Sequence, residues 1–251
     1  MDLELKSKVA VITGCSVGIG REAATLLAAE GAQTVVVARR AQLLGTLVDE
    51  IEKMGGARPL AISLDLYDRA SPQRLRDAVL DAFGRADILV NNAGGSRPMP
   101  WNSPDDAWDE SFAINFTAVR TITQAFLPAM IERRWGRVVC VTGTGEPRQV
   151  NAAVAAKAGV HAWAKGLSRE VGPHGITVNC VAPGRVHSEQ IDEKLHPTPE
   201  SQADFARANI PLGYFGDAAD VAALIAFLCS ARARYITGER IHVDGGMHHA
   251  V

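Results

Sequence analysis

Short apolar runs and longer amphipathic stretches alternate along this chain almost from end to end. Residues 9–13, 34–38, 60–64, 88–91, 137–142, 177–182 and 239–243 are apolar at nearly every position. That is how strands covered on both faces read, since a strand with one wet face would alternate. Between them, apolar residues recur at helical spacing over 18–30, 42–54, 72–83, 105–134, 151–171 and 217–230. Gly31, Gly55, Gly84 and Gly136 follow four helical stretches, where a left-handed closing residue is wanted. The alternation predicts a single doubly wound Rossmann-type α/β domain, a parallel seven-stranded sheet with helices on both faces. In such a fold the ligand sits at the carboxyl ends of the strands. Residues 185–210, with Pro197, Pro199 and several charges, break the rhythm. They read as an irregular excursion over the ligand edge, a candidate lid.

Composition narrows the class. A chain of 251 residues, 47% of them hydrophobic, suffices to bury such a sheet as one domain. Its 26 basic and 28 acidic residues are intermixed and sum to −2. With no basic block, a nucleic-acid partner is not expected. No apolar run approaches the roughly 18 residues of a membrane span, and the first eleven residues do not resemble a secretory leader. Cys15, Cys140, Cys180 and Cys229 are far apart and form no C-x-x-C pair, so reduced thiols are expected, with no disulfide frame and no metal site. The expected location is the cytoplasm.

The first strand runs into Thr13-Gly14-Cys15-Ser16-Val17-Gly18-Ile19-Gly20 and then a helix. Glycine belongs where a chain turns tightly and where backbone must approach phosphate. The helix that follows aims unpaired N–H groups and its positive dipole end at the same place. Gly14, Ser16, Gly18, Ile19 and Gly20 are therefore candidates for seating a dinucleotide pyrophosphate. The end of the second strand selects the coenzyme. An Asp or Glu there accepts the ribose hydroxyls of NAD(H) and repels a 2′-phosphate. This chain has Ala38 followed by Arg39 and Arg40, guanidinium groups that can grip phosphate, so NADP(H) is favoured over NAD(H).

With these motifs the chain resembles the short-chain dehydrogenase/reductase family, most closely its bacterial 3-oxoacyl-ACP-reductase-like members. The resemblance spans nearly all 251 residues. It adds Asp65-Leu66, Asn91-Asn92-Ala93-Gly94, Asn115, Lys157, residues 183–188 (PGRVHS), Tyr235-Ile236-Thr237-Gly238 and Val243-Asp244-Gly245-Gly246 to the glycine turn. The resemblance implies that Asp65 and Leu66 hold adenine, and that Asn91, Ala93 and Gly94 line the adenosine-side ribose. It implies that Lys157 grips the nicotinamide ribose, and that Pro183, Gly184, Val186 and Ser188 hold the nicotinamide. It also implies a homo-oligomer, tetramer or dimer, for which the alanine-rich stretch 151–171 offers a close-packing face. Residues 1–95 would mainly bind the dinucleotide, and 96–251 would form the catalytic and substrate region. One departure falls in the glycine turn: NADP-type relatives often carry a basic residue where this chain has Val17.

The resemblance breaks at the proton donor. The family pattern is a Tyr four residues before the Lys, with a Ser orienting the substrate oxygen and an Asn anchoring a relay water. Spacing of four places Tyr and Lys on one helix face, where the ammonium lowers the phenol pKa. Asn115 and Lys157 are present as catalytic candidates. Ala153 stands four residues before Lys157, and Gly143 stands at the Ser position. Tyr67, Tyr214 and Tyr235, the only tyrosines, have no Lys four residues on. Thr144, Glu146, His161, Tyr214 or a water held by Asn115 and Lys157 are the candidate substitutes. Met99, Trp101, Trp108 and the excursion could wall a substrate pocket, with Arg97, Arg148 and Arg185 near its mouth. Three readings stay open: a reductase of small-molecule carbonyls with an atypical site, a non-redox protein that keeps the coenzyme, and a catalytically disabled variant.

Overall fold

The computed structural model describes residues 2–96, 99–143, 145–147 and 149–249. Seven strands form one parallel sheet in the order β3-β2-β1-β4-β5-β6-β7. They are β1 (Val9–Thr13), β2 (Gln33–Ala38), β3 (Leu60–Ser63), β4 (Ile88–Asn91), β5 (Gly136–Val141), β6 (Ile176–Pro183) and β7 (Arg240–Val243). The chain winds outward from β1 to β3, then crosses back to β4 beside β1. That reversal opens a crevice at the carboxyl ends of β1 and β4, where open α/β sheets take their ligands.

Helices α1 (Gly18–Ala29), α2 (Ala41–Lys53), α3 (Ser71–Phe83), α4 (Asp105–Phe112), α5 (Ala118–Arg133), α6 (Ala152–Val171), α7 (Pro199–Asn209) and α8 (Ala218–Cys229) complete the domain. One core, around Ile12, Leu27, Val36, Ile88 and Ile225, lies between the sheet and α1, α2 and α8. The other, around Val11, Leu89, Phe126, Met130 and Val178, lies under α3, α5 and α6. Strands buried on both faces explain the unbroken apolar runs of β1, β2, β4 and β5. The two edge strands depart from that expectation. Alternate residues of β3 are exposed, and β7 is half-buried throughout.

Three other sequence expectations need correction. The helix expected over 105–134 is interrupted by a π-helical turn at Ala113–Thr117. There Asn115 Nδ2 donates 2.9 Å to Ser111 O, a side chain inserted into the backbone ladder. The excursion at 185–210 is largely helical, with a π-turn at Ile191–Leu195 followed by α7. Pro199 is a helix opener here: it stands at the first position of α7, behind a Thr198 capping box, where its missing N–H costs nothing. Gly136 does not close a helix. Arg134 takes the left-handed position at φ 52°, and Gly136 begins β5. A Cβ on Gly136 would lie 2.9 Å from Met130 Sδ, so close packing holds that glycine.

Candidate active site

The crevice begins at the turn after β1. Gly14 (φ 75°) and Gly18 (φ 61°) adopt left-handed backbone, and a Cβ on Gly14 would come within 2.9 Å of Ala93 N. At Gly20 a Cβ would lie 2.3 Å from Asn92 Nδ2 and 2.5 Å from Gly14 O, so no side chain fits. Asn92 fastens this turn by donating to Thr13 O and Gly14 O, both at 3.1 Å. Thr13 Oγ1 accepts from the N–H groups of Asn92 and Ala93, both at 3.0 Å. Helix α1 starts behind Val17 with no side-chain cap and no acid in its first turn. Bare backbone and uncapped N–H groups make a cradle whose donor set fits a pyrophosphate.

Sequence reasoning missed Asn92 and Thr13, and it gave Asn91 a ribose-facing place. The side chain of Asn91 turns into the sheet and donates 2.9 Å to Thr123 Oγ1. Strand alternation was the available signal: successive residues face opposite ways. Farther along the crevice, Asp65 accepts the Tyr67 N–H at 3.1 Å and is exposed, and Leu66 packs on the second core.

Buried Ala38 ends β2, and exposed Arg39 and Arg40 follow it. Arg40 donates 3.0 Å to Ser16 Oγ, so its cation stands beside the glycine turn. Its other arm lies 3.3 Å from the Glu189 carboxylate across the crevice.

Gly94, after β4, is the meeting point of the two ends of the site. A Cβ there would lie 2.7 Å from Asn115 Oδ1 and 3.9 Å from Lys157 Cε. Asn115, held by the π-turn, also accepts the Gly95 N–H at 3.2 Å. Lys157 on α6 donates 2.9 Å to Thr142 O. Burial without a facing carboxylate pushes its ammonium down to about 8. Ala153, one turn earlier, is buried and caps onto Asn151 Oδ1 through its N–H at 3.0 Å. Among the described residues, a Cβ on Gly143 would meet nothing within 4 Å.

The candidate substitutes fall in different places. Thr144 lies outside the described residues, as do Arg97 and Arg148. Glu146 turns toward the C-terminal tail, where its carboxylate accepts from His249 N at 3.1 Å. His161 donates or accepts at both nitrogens, 2.8 Å from Thr142 Oγ1 and 3.4 Å from Arg240 Nη1. Burial, then Arg240, pushes it down to about 4, so it is neutral near pH 7. Tyr214 is 60% exposed. With His187, Pro199, Gln202 and Phe215 it borders a cavity of about 230 Å³ beside α7.

At the end of β6, a Cβ on Gly184 would lie 2.6 Å from Asp244 Cβ, and Gly184 N donates 2.9 Å to Val243 O. Val186 is buried; Ser188 Oγ accepts the Ile191 N–H at 3.3 Å and leaves its own proton to donate. Met99 Sδ takes the Ala152 N–H at 3.4 Å, and Ser96 Oγ takes a proton from Asn151 at 2.8 Å, so this loop packs on the start of α6. Trp101 is 83% exposed, Trp108 rests on Phe112 at 6.5 Å, and the Arg185 guanidinium lies over the Phe205 ring at 4.8 Å. Among the described residues, no cluster of His, Cys, Asp and Glu is placed to hold a metal, and no helix is long and apolar enough to cross a membrane.

A family model described as enoyl-(acyl carrier protein) reductase matches residues 14–248. The chain is 38% identical over 251 residues to an uncharacterized short-chain type dehydrogenase/reductase of Sinorhizobium fredii, covering 97% of this chain and 98% of that one. It is 37% identical to the 3-oxoacyl-[acyl-carrier-protein] reductase of Salmonella typhimurium, covering 98% and 99%. Among solved structures, the L-sorbose reductase of Gluconobacter frateurii, complexed with NADPH and L-sorbose, is similar over both whole chains, with 30% identity and a TM-score of 0.94.

Proposed function

The chain belongs to the short-chain dehydrogenase/reductase family of oxidoreductases, and from that premise we propose that it interconverts a small-molecule carbonyl and its alcohol with NADP(H), using an atypical proton source. The observation that carries this reading is the convergence at Gly94, where Asn115 and Lys157 meet the strand end beside the glycine turn. Gly14, Ser16, Gly18, Ile19 and Gly20 would seat the pyrophosphate. Arg39, with Arg40, would take the 2′-phosphate, which no carboxylate at Ala38 opposes. Asp65 and Leu66 would hold adenine, and Ala93 and Gly94 the near ribose, with Asn91 offering that ribose only its backbone because its side chain turns into the sheet. Lys157 would hold the nicotinamide ribose, and Pro183, Gly184, Val186 and Ser188 the nicotinamide. The coenzyme, when bound, supplies or accepts the hydride.

The chain must then move one proton to or from the substrate oxygen. Ala153 and Gly143 stand where the family pattern has Tyr and Ser, and neither has a proton to give. His161 is neutral with both ring nitrogens engaged, and Glu146 is turned to the tail. Lys157 has three N–H donors, and Thr142 O takes one. We infer that a water held by Lys157 and Asn115 passes the Lys157 proton to the substrate oxygen. An ammonium pushed down to about 8 is an acid of useful strength near neutrality.

Residues 1–95 serve mainly the dinucleotide in this reading, and 96–251 the substrate, with 185–210 as lid. Exposed Ala155, Ala158 and Ala162 on α6 support a homo-oligomer, because small side chains admit a second helix closely. Four buried, unpaired thiols support a cytoplasmic location. The empty Tyr and Ser positions favour a second reading, a protein that keeps the coenzyme without redox turnover. Calorimetric titration with NADP(H) and NAD(H), followed by single-turnover NADPH oxidation across a ketone panel, separates the two. Tight NADPH binding with slow oxidation supports the reductase, and tight binding with none supports the second reading. In Ala153→Tyr, a large gain in rate would mark the site as a reductase that has lost its acid.

A further inference from the structure

Arg240 opens β7, and its guanidinium lies between two imidazoles. Nη1 is 3.4 Å from Nδ1 of His161 on α6, and Nη2 is 3.3 Å from Nε2 of His248 in the tail. A guanidinium can only donate, so both facing nitrogens accept. That settles where each ring keeps its proton. His161 carries it on Nε2, which donates 2.8 Å to Thr142 Oγ1; the Thr142 hydroxyl passes its own proton to Val181 O at 3.1 Å. His248 carries it on Nδ1, which is buried 3.2 Å from Glu146 Oε1, close in charge contact but without a hydrogen bond. His249 brings its N–H and Nδ1 to the same carboxylate, each at 3.1 Å.

These bonds end on one segment, the chain that leaves β5. Its first residue, Thr142, is buried and presents the carbonyl that holds Lys157. Glu146 is farther along. Between them, a Cβ on Gly145 would lie 2.7 Å from Arg240 Nη1, so the guanidinium rests against bare backbone there. Arg240 thus touches Gly145 directly, reaches Thr142 by hydrogen bonds through His161, and sets the His248 ring beside the Glu146 carboxylate. We propose that Arg240 is a positioning residue for the reduction, holding the segment after β5, and through it the Lys157 ammonium, by means of His161 and His248. The role rests on the reductase reading above.

The surroundings give the clasp a pH dependence of definite sign. Lys157 and His161 face it from α6, Glu146 from the segment after β5, and His242, Asp244, His248 and His249 from β7 and the tail. The His242 ring stacks on His248 with centroids 4.1 Å apart, and burial lowers its affinity for a proton. His161 is held down to about 4 while the clasp is closed, against an ordinary 6.5 when it is open. Closed clasp therefore loses ground as pH falls from 6.5 toward 4, and the loss is complete below 4.

Nitrogen NMR on histidine-labelled protein reads the tautomers directly. The expected result is His161 protonated on Nε2 and neutral down to about pH 4, with His248 protonated on Nδ1. In Arg240→Met, both rings should become tautomer mixtures and His161 should titrate nearer 6.5. That variant should lose about tenfold in kcat with little change in KM, and its acid limb should move to higher pH. His249→Ala, which removes an outer partner, should leave the tautomers of His161 and His248 in place. A wild-type His161 that is charged at neutral pH, or protonated on Nδ1, overturns the clasp even if Arg240→Met fails to fold. Unchanged kcat and pH profile in a folded Arg240→Met overturn the positioning role. Absence of coenzyme binding in the wild type would sink the reductase reading and the role given to Arg240 with it, while the tautomers would still report the clasp.

Discussion

The two ends of the crevice obey different constraints. At the end proposed for the coenzyme, Gly14 and Gly20 leave no room for a methyl group, and the surrounding atoms are backbone or the anchored Asn92 amide. At the end proposed for catalysis, a Cβ on Gly143 would meet nothing within 4 Å among the described residues. The first end is fixed by sterics, which any sequence with this turn must satisfy. The second depends on which side chains bring protons, and the backbone tolerates several answers there. A chain can therefore keep one end while changing the other, and its fold does not report the change.

In the proposed function Lys157 serves both ends, so removing it should have the largest effect. Lys157→Met should lower single-turnover NADPH oxidation by about 10²–10⁴-fold, the range for loss of a positioned acid. The same change should stabilise the coenzyme-free protein by about 0.5–2 kcal/mol. Burial disfavours this ammonium, so its folded pKa is about 8 against an ordinary 10.5. The penalty is full below pH 8 and fades as pH rises toward 10.5, because only there does the unfolded chain bind the extra proton. The gain in unfolding temperature should accordingly shrink over that window. In the wild type, reduction should slow as pH rises through about 8. A flat profile to pH 10 would remove Lys157 from the proton path.

Gly20→Ala tests the rigid end. With contacts of 2.3 and 2.5 Å awaiting a Cβ, overpacking should cost about 1–3 kcal/mol of stability. Coenzyme affinity should fall by about 10²-fold as the turn shifts away from the phosphate, the equivalent of roughly 2.7 kcal/mol. Calorimetry against both coenzymes checks it, and the loss should be alike for NADP(H) and NAD(H). Arg39→Gln should be smaller and selective. Loss of a charge-assisted bond is worth about 1.5–3 kcal/mol, or roughly 10- to 150-fold, and only NADP(H) should feel it. Equal losses for both coenzymes would mean that Arg39 does not meet a 2′-phosphate.

The sequence was legible where backbone sterics and burial left their mark. The five interior strands and the glycine turn follow from apolar periodicity and glycine placement, whereas the strand order does not. The edges were harder to read: β7 carries Arg240 and His242 among its apolar residues, and nothing local says that its outer side is open. Pro197 and Pro199 hid α7, since a proline at a helix start and one in a loop look alike until the cap is seen. The π-turn at Ala113–Thr117 goes with the Asn115 side chain bonding Ser111 O, a feature too local for periodicity to register. For the proposed site, Asn115 and Lys157 were named by resemblance. Thr142 was missed because its carbonyl, which every residue has, does the holding. Arg240 was missed because its partners lie on α6 and in the tail, 79 and 8 residues away in sequence.

Gly143→Ser is the smallest change, and it sets the two ends against each other most directly. A glycine is compulsory at position 20 and dispensable at 143 if the contrast drawn from the geometry holds. With nothing within 4 Å of the new Cβ, the substitution should leave stability within about 0.5 kcal/mol, as an unstrained surface change does. Coenzyme affinity should not move, because residue 143 is beyond the segment that seats the phosphates. A hydroxyl placed there can orient a substrate oxygen but cannot replace the missing acid, so the rate should change by only a few-fold. The decisive comparison is therefore thermal unfolding and NADPH affinity of Gly143→Ser beside Gly20→Ala. If serine at 143 destabilised the fold as much as alanine at 20, the catalytic end would be under the same steric rule as the coenzyme end. Its missing hydroxyl would then be a packing requirement, and the open choice of proton donors argued above would disappear.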